Sequence, residues 1–179
     1  MKLKMLFKII IGIVIGIYII SIWPKTYNKT FDGIKYRLRS NEEFEEVTIV
    51  FDGKLTRNFI LGNKFVGTLK IGNIDIPSKK SESEQITLDF NKNNWTTIDE
   101  VIWTNEEPKL ISYGEIYFDK KFEHFTIAWK EKDGDGYTWN SGTGLMITAP
   151  VKDREEAIKL SNQLMKSRLF HNGKYLWLK

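Results

Sequence analysis

An unbroken apolar run near the amino terminus is the feature that most constrains this chain. Residues Met5 to Trp23 read MLFKIIIGIVIGIYIISIW and contain one charged side chain, Lys8. As an α-helix the run would extend about 28 Å, close to the hydrocarbon thickness of a bilayer. Lys8 lies one turn inside, from where its ammonium group reaches the headgroups, and Pro24 ends the helix. The run therefore predicts an amino-terminal transmembrane anchor within residues 1–24.

Two other interpretations of this run stay open. A cleaved signal peptide would use the basic start as its n-region, but cleavage requires small residues in an A-x-A-like pattern, and residues 20–24 (ISIWP) offer none. A buried core helix would seldom be apolar on every face. We favour an uncleaved anchor in the cell membrane with a cytoplasmic amino terminus. The following domain lies outside, because long carboxy-terminal domains cross the membrane largely regardless of nearby charge.

Positive charge is concentrated beside the apolar run. Eight of the 27 basic residues but only one of the 23 acidic residues precede Ser40, which leaves 19 basic and 22 acidic residues in the rest. A basic surface on the folded domain would indicate nucleic acid, so with this distribution we expect no nucleic-acid partner. An anionic membrane surface or an anionic wall polymer would attract such a stretch, unless it is simply a linker followed by a strand with a polar face. The residues expected at that contact are Lys25, Lys29, Lys35, Arg37 and Arg39.

Beyond Pro24 the dominant periodicity is two, which is typical of half-buried β-strands. Residues 34–39 alternate apolar and basic side chains. The β-branched stretch 47–51 is followed by Asp52-Gly53 and renewed alternation, which predicts a hairpin with a D-G turn. Further short strands separated by turn residues continue to about residue 149. This pattern indicates a mainly β domain, built as a sandwich or a partly open barrel.

One helix is predicted near the carboxy terminus, over residues 153–170. Asp153 is followed three residues later by Glu156, which is a capping-box pattern. Apolar residues at helical spacing then form a stripe that would pack on the sheet. The predicted organisation is an anchor over residues 1–24, a juxtamembrane linker over 25–33 and the β-rich domain over 34–179.

The residues that carry chemistry form no diagnostic constellation. The chain has no cysteine, which excludes disulfides, thiolate zinc sites and a cysteine nucleophile. Residues 131–136 (EKDGDG) resemble a calcium loop, but Gly142 stands where the bidentate glutamate should be, so a turn is favoured. The glycine-rich stretch 139–144 matches neither a P-loop nor a nucleophile elbow. His124 would need an orienting acid and a nucleophile to act in catalysis.

We therefore expect no catalytic residue, no metal and no cofactor. A ligand-binding role is expected, if anywhere, around the loop that follows residue 130, because a tryptophan beside a glycine-rich loop is often only partly buried. The residues predicted to contact a ligand there are Trp139, Asn140, Ser141, Asp133 and Asp135.

Three stretches carry a resemblance: residues 36–40 (YRLRS), residues 65–71 (FVGTLKI) and residues 144–150 (GLMITAP) ahead of 153–157 (DREEA). Together they resemble uncharacterised small membrane-anchored or secreted proteins of low-GC Gram-positive bacteria of the Bacillus kind. The likeness covers most of residues 34–170. It implies a membrane-associated β-rich domain, and it carries over no functional residues.

The sequence thus predicts a single-pass membrane protein with an extracytoplasmic domain that acts by binding. Its partners would be membrane lipid through the anchor and either an anionic wall polymer or another membrane protein. Two alternatives stay open. One is a cell-surface hydrolase that uses two carboxylates about 5–9 Å apart in a cleft. The other is a small membrane regulator or immunity-type protein that acts through its anchor.

Overall fold

The protein is described by a computed structural model of the 179-residue chain. The described residues are 7–13, 16, 18, 22–40, 44–58, 62–104, 106–134, 136–171 and 174–179. Asp135 and much of the predicted anchor (residues 1–6, 14, 15, 17 and 19–21) lie outside them. Residues 7–13, 16 and 18 are helical. Within the part of the chain that is described, no helix combines the length and the hydropathy needed to cross a bilayer.

Most of the described chain is β-strand, with helix only at its two ends. The strands are β1 Lys25–Arg37, β2 Glu45–Thr56, β3 Lys64–Ile71, β4 Ile74–Ile76, β5 Ile86–Asp89, β6 Trp95–Thr104, β7 Glu107–Phe118, β8 Phe125–Trp129, β9 Glu131–Asp133, β10 Gly136–Thr138, β11 Leu145–Ala149, β12 Phe170–His171 and β13 Lys174–Tyr175. The carboxy-terminal helices are α1 Arg154–Leu164 and α2 Lys166–Leu169.

Nine strands form one antiparallel sheet in the order β4-β3-β2-β1-β11-β8-β7-β6, with β5 also paired to β3. Strands β4 and β5 share the outer edge of β3, one after the other along its length. The sheet curls until β5 packs beside β6, and an isolated bridge from Ser81 to Ile102 spans the remaining seam. The result is a nearly closed barrel with a carboxy-terminal helix, which confirms the prediction of a mainly β, barrel-like domain.

Aromatic rings fill the interior of this barrel. Phe51 on β2 is in edge-on contact with the rings of Tyr27, Phe31, Phe65, Phe118 and Phe125, at centroid separations of 5.5–6.1 Å. A barrel of about eight strands is just wide enough to be filled by side chains or to hold one small ligand. Here side chains take the space, and edge-on ring pairs add to the stabilisation that their buried area provides.

Two sequence predictions about strand boundaries were wrong. Residues 25–33, expected to be a linker, form the first part of β1 and pair with β2 from Lys25 onward. Asp52-Gly53, expected to be a hairpin turn, lies inside β2, where Gly53 faces Gly67 of β3. A Cβ atom on Gly53 would collide with the carbonyl oxygen of Val66 and the Cα of Gly67. The glycine is needed because two strands approach closely there, and no chain reversal occurs.

The helix α1 begins where the capping box predicts and packs on the outside of the barrel. The Asp153 carboxylate accepts a hydrogen bond from the Glu156 N–H at 2.9 Å. The helix lies against the outer faces of β1, β8 and β11. Ala157 and Met165 join Ile34 and Met146 in a second apolar cluster there. The prediction of a helix packed on the sheet is confirmed, although the helix breaks at Met165.

A cluster of four buried hydroxyl groups lies between α1 and the barrel. Ser161 Oγ is 3.0 Å from the Tyr36 hydroxyl, 2.8 Å from Thr126 Oγ1 and 2.9 Å from Thr148 Oγ1. Burial raises the pKa of the Tyr36 hydroxyl, which keeps it protonated and able to donate. Ser161 therefore supplies a hydrogen-bond partner to each of the other three groups.

Replacing Ser161 with alanine is expected to lower the free energy of unfolding by about 1–3 kcal/mol, because buried hydroxyls lose a partner. The measurement is denaturant unfolding of the full chain in detergent, followed by tryptophan fluorescence. The matched control is the exposed Ser167→Ala, expected to change stability by less than about 0.5 kcal/mol. Equal effects at the two serines would contradict a stabilising role for the cluster.

Candidate functional site

The turns at one end of the barrel interlock and carry an excess of basic side chains. Arg57 donates to the Lys121 carbonyl at 2.6 Å, and Asn63 donates to the Asn94 side-chain oxygen at 2.8 Å. These bonds join the turns that follow β2, β5 and β7. The first residue of β1, Lys25, lies at the same end, because it pairs with Leu55 near the close of β2. We call this region the basic end; it is formed by residues 23–25, 57–58, 62–64, 89–94 and 119–124 and by residues 163, 164, 166, 167, 170 and 175 of the carboxy-terminal segment.

A cleft of about 410 Å³ opens between these turns. Its described lining residues are Arg57, Asn58, Gly62, Asn63, Asn91, Lys92, Asn94 and Lys120. Three of these side chains are cationic, four are amides, and none is a carboxylate. Amide N–H groups and cations together favour an anionic group, and phosphate above all.

A second cleft, of about 770 Å³, adjoins the first and shares Lys92, Asn94 and Lys120 with it. The carboxy-terminal segment completes it through Lys166 and Tyr175. Lys166 Nζ lies 5.6 Å from the centroid of the Tyr175 ring, within cation–π range. The two clefts form one continuous basic surface around the end of the barrel.

Asp119 is the acidic residue in the second cleft, and its carboxylate is already bonded. Oδ1 accepts the backbone N–H of Glu123 at 2.8 Å and that of His124 at 3.3 Å, while Oδ2 lies 3.1 Å from His124 Nδ1. Burial raises the pKa of Asp119, but these hydrogen bonds lower it more, so the pKa lies below its ordinary value. Asp119 therefore holds the β7–β8 turn, and its one negative charge is outnumbered by the cations Arg57, Lys92, Lys120 and Lys166 that line the two clefts.

Four of the residues predicted to contact a ligand, Asp133, Trp139, Asn140 and Ser141, lie between β8 and β11 at the opposite end of the barrel, which we call the distal end. Trp139 is partly buried and donates to the Leu145 carbonyl at 3.2 Å. The Asn140 side-chain oxygen accepts the N–H groups of Gly142 and Thr143, both at 2.9 Å. Both side chains thus stabilise the loop itself, while Asp133 is exposed on the β9–β10 hairpin and Ser141 is partly buried in the turn. Among the described residues no cluster could hold a metal ion.

The five basic residues predicted to contact a membrane do not share one surface. Strand β1 runs 13 residues from Lys25 to Arg37, about 40 Å at the usual rise per residue. Lys25 is at the basic end and Lys29 is exposed further along, whereas Lys35 pairs with Glu45 at 3.0 Å toward the distal end. Two of the five, Arg37 and Arg39, belong to the distal end, where Arg37 is bound to Glu131 at 2.7 Å. The pairing lowers the pKa of Glu131.

Sequence reasoning missed the seam of the barrel. A cleft of about 430 Å³ lies there, lined by Ser81 and its neighbours on one side and by residues 99–103 of β6 on the other. The buried Glu100 accepts the Ser78 N–H and the Tyr113 hydroxyl, both at 2.7 Å. Each of its oxygens thus has a partner, and Glu100 ties the loop after β4 to the wall of the barrel.

The β6–β7 hairpin projects past the seam with an apolar face exposed. Strand β7 pairs with β8 only from Gly114 onward but pairs with β6 over its whole length. On the projecting part, Val101 lies opposite Leu110, and Trp103 opposite Pro108, so these side chains share one face. Val101, Trp103 and Leu110 are 48%, 45% and 60% exposed. A contiguous apolar face of this kind is typical of a protein-binding surface.

Replacing Asp119 with asparagine is expected to reduce the free energy of unfolding by about 1 kcal/mol at pH 7, a value discounted because the carboxylate is partly exposed. A carboxyl group whose pKa is lowered by folding stabilises the folded state at pH values above its pKa in the unfolded chain. This contribution is lost as the pH falls through its pKa in the folded state. The difference between wild type and variant should therefore shrink below about pH 4.

Unfolding of the full chain in detergent at several pH values measures this difference. The control is Asp75→Asn, whose carboxylate is exposed beside Lys70 at 3.5 Å and should contribute less than about 0.5 kcal/mol. A difference at Asp119 that stays constant from pH 7 to pH 3 would contradict the assignment.

Comparison with known protein families, with curated proteins and with solved structures finds no match for this chain. Function is therefore inferred from the geometry and charge of the described residues. These place the basic end at one end of the filled barrel and the turn of the β6–β7 hairpin, with its exposed apolar face, toward the other.

Proposed function

We propose that the chain is a single-pass membrane protein that holds a solid β-barrel outside the cytoplasmic membrane and acts by binding a protein partner. The apolar run of residues 5–23 supports the anchor, because its length and hydropathy match a bilayer and its end offers no cleavage pattern. The barrel begins at Lys25, so the domain follows the apolar run with almost no intervening chain.

The filled interior supports binding through the outer surface. A barrel that carries a small molecule needs space between its strands, and here Phe51 and its neighbouring rings fill that space. Of the surfaces described, the face formed by Val101, Trp103 and Leu110 fits a protein partner, because large apolar side chains exposed side by side dominate the energetics of interfaces. This exposed face is the observation that carries the proposal.

The hydrolase alternative has less support. Three carboxylates, those of Glu82, Asp99 and Glu100, border the seam cleft. Asp99 and Glu100 are consecutive residues of one strand, so their side chains point to opposite faces, and Asp99 accepts a hydrogen bond from the Ser112 hydroxyl. Glu100 is also engaged by Ser78 and Tyr113. A pair of carboxylates working on one substrate needs both groups to face it. The regulator alternative also requires the anchor. It differs from our proposal only because the anchor, and not the barrel, would contact the partner protein.

Labelling of single cysteines tests the orientation. The chain has no cysteine, so Lys109→Cys on the exposed part of the β6–β7 hairpin provides a unique thiol. We expect a membrane-impermeant maleimide to label it on intact cells. A cysteine added at the amino terminus should be labelled only after lysis. The reverse pattern would overturn the proposed orientation.

Photo-crosslinking tests the binding face. A photoreactive phenylalanine analogue at position 103 should give one discrete light-dependent adduct in intact cells, whereas the same analogue at the exposed position Lys54 on the barrel wall should give none. Adding Leu110→Glu to the position-103 variant should abolish the adduct, because the charge disrupts the shared apolar face. Equal adducts at positions 103 and 54, or an adduct that survives the added glutamate, would contradict the proposal.

A further inference from the structure

We propose that the basic end rests on an anionic phospholipid bilayer, with the lysines of its two clefts against the headgroup phosphates. This inference rests on one part of the proposed function, the membrane anchor, because the anchor brings the basic end to the membrane. It concerns residues far from the apolar run in sequence, since Lys92, Lys120 and Lys166 enter this surface only through the fold.

The charge at this end is unbalanced. The basic residues there are Lys25, Arg57, Lys64, Lys92, Lys120, Lys121 and Lys166, and the acidic residues are Asp89, Asp119 and Glu123. Asp89 lies 3.4 Å from Lys64, and Asp119 is held by His124 and by backbone N–H groups. The seven cations outnumber the three carboxylates by four, and the three lysines of the clefts are exposed. An anionic surface attracts such an excess of positive charge.

The distal end differs, because its charges of both signs are mixed. Arg37 at the distal end is in an ion pair with Glu131 at 2.7 Å, and Lys35, which lies toward that end, is in an ion pair with Glu45 at 3.0 Å. An anionic surface therefore attracts one end of the barrel more strongly than the other. The electrostatic asymmetry favours a single orientation of the domain.

Exposed aromatic side chains accompany the cations at the basic end. Trp23 is 69% exposed next to the start of β1, and Phe170 and Tyr175 are 51% and 40% exposed on the rim of the second cleft. The rings of Phe170 and Tyr175 lie 4.9 Å apart. Aromatic side chains combined with lysines are the composition that the bilayer interface favours.

The tether fixes how close this surface comes to the membrane. Only Pro24 lies between Trp23, the end of the apolar run, and Lys25, and these two steps of the chain reach at most about 7 Å. Electrostatic attraction at physiological ionic strength extends over about 8 Å. Lys25, and with it the side of the basic end where β1 begins, is thus held within the range at which anionic headgroups act.

Protection of a single cysteine in vesicles tests this docking. The full chain carrying Asn93→Cys, on the turn between the two clefts, is reconstituted into phosphatidylcholine vesicles with or without phosphatidylglycerol. We expect a water-soluble maleimide to react roughly tenfold more slowly at position 93 in the anionic vesicles, with the protection lost in high salt. A cysteine in place of Glu107, on the exposed part of the β6–β7 hairpin, should react equally in both.

Charge removal identifies the residues responsible. The triple variant K92Q/K120Q/K166Q should restore the labelling rate at position 93 to within about twofold of its value in neutral vesicles. The matched control K80Q/K109Q/K132Q removes three exposed lysines elsewhere and should keep the protection. Equal rates in both vesicle types, or equal behaviour of the two triple variants, would overturn the proposal.

Two further measurements distinguish lipid from a soluble phosphate polymer, and the docking proposal from the anchor. If soluble inorganic polyphosphate protects position 93 in neutral vesicles while anionic lipid does not, the surface binds a free phosphate polymer and the lipid proposal fails. Retention of the chain through alkaline carbonate washing tests the anchor separately. Release in that wash, together with salt-sensitive protection by anionic vesicles, would overturn the anchored function and leave the docking proposal standing.

Discussion

The ring of aromatic contacts around Phe51 is the interaction on which the rest of the structure depends. Its partners come from β1, β3, β7 and β8, so one side chain links opposite walls of the barrel. Removing such a ring would leave a cavity that rigid strands cannot close. Because the rings take the interior, the binding that we propose has to use the outside of the barrel: its ends, its seam or the projecting β6–β7 hairpin.

Polar groups outside this core hold the appended elements in place. The hydroxyl cluster around Ser161 positions α1 on the barrel, and the helix then runs from the distal end, where Arg154 bonds to the Arg37 carbonyl at 2.8 Å, to the basic end. The carboxy-terminal tail returns along it, and the Arg39 N–H donates to the Lys179 carbonyl at 2.8 Å. The second basic cleft exists only because this segment is anchored at both ends.

Local patterns in the sequence were enough to predict local structure. The capping box at Asp153 and the alternation of residues 34–39 act over a few residues, and both were interpreted correctly. The prediction of a turn at Asp52-Gly53 was wrong because the glycine is required by the close approach of Gly67, which is distant in sequence. The sequence did not predict the basic end for the same reason, since Arg57, Lys92 and Lys120 come from three turns that are far apart in the chain. The distribution of charge along the sequence pointed instead to the basic residues of β1, but the extended strand separates those residues by up to about 40 Å.

The length of β6 connects the two proposals. This strand begins at Trp95, beside the basic end, and reaches Trp103 eight residues later on the apolar hairpin face. At the usual rise per residue this is about 26 Å. If the basic end rests on headgroups, the apolar face is held at up to that height above the bilayer, and the packed barrel between them prevents it from folding back. A partner for Trp103 must therefore either extend that far from the membrane or approach from outside it.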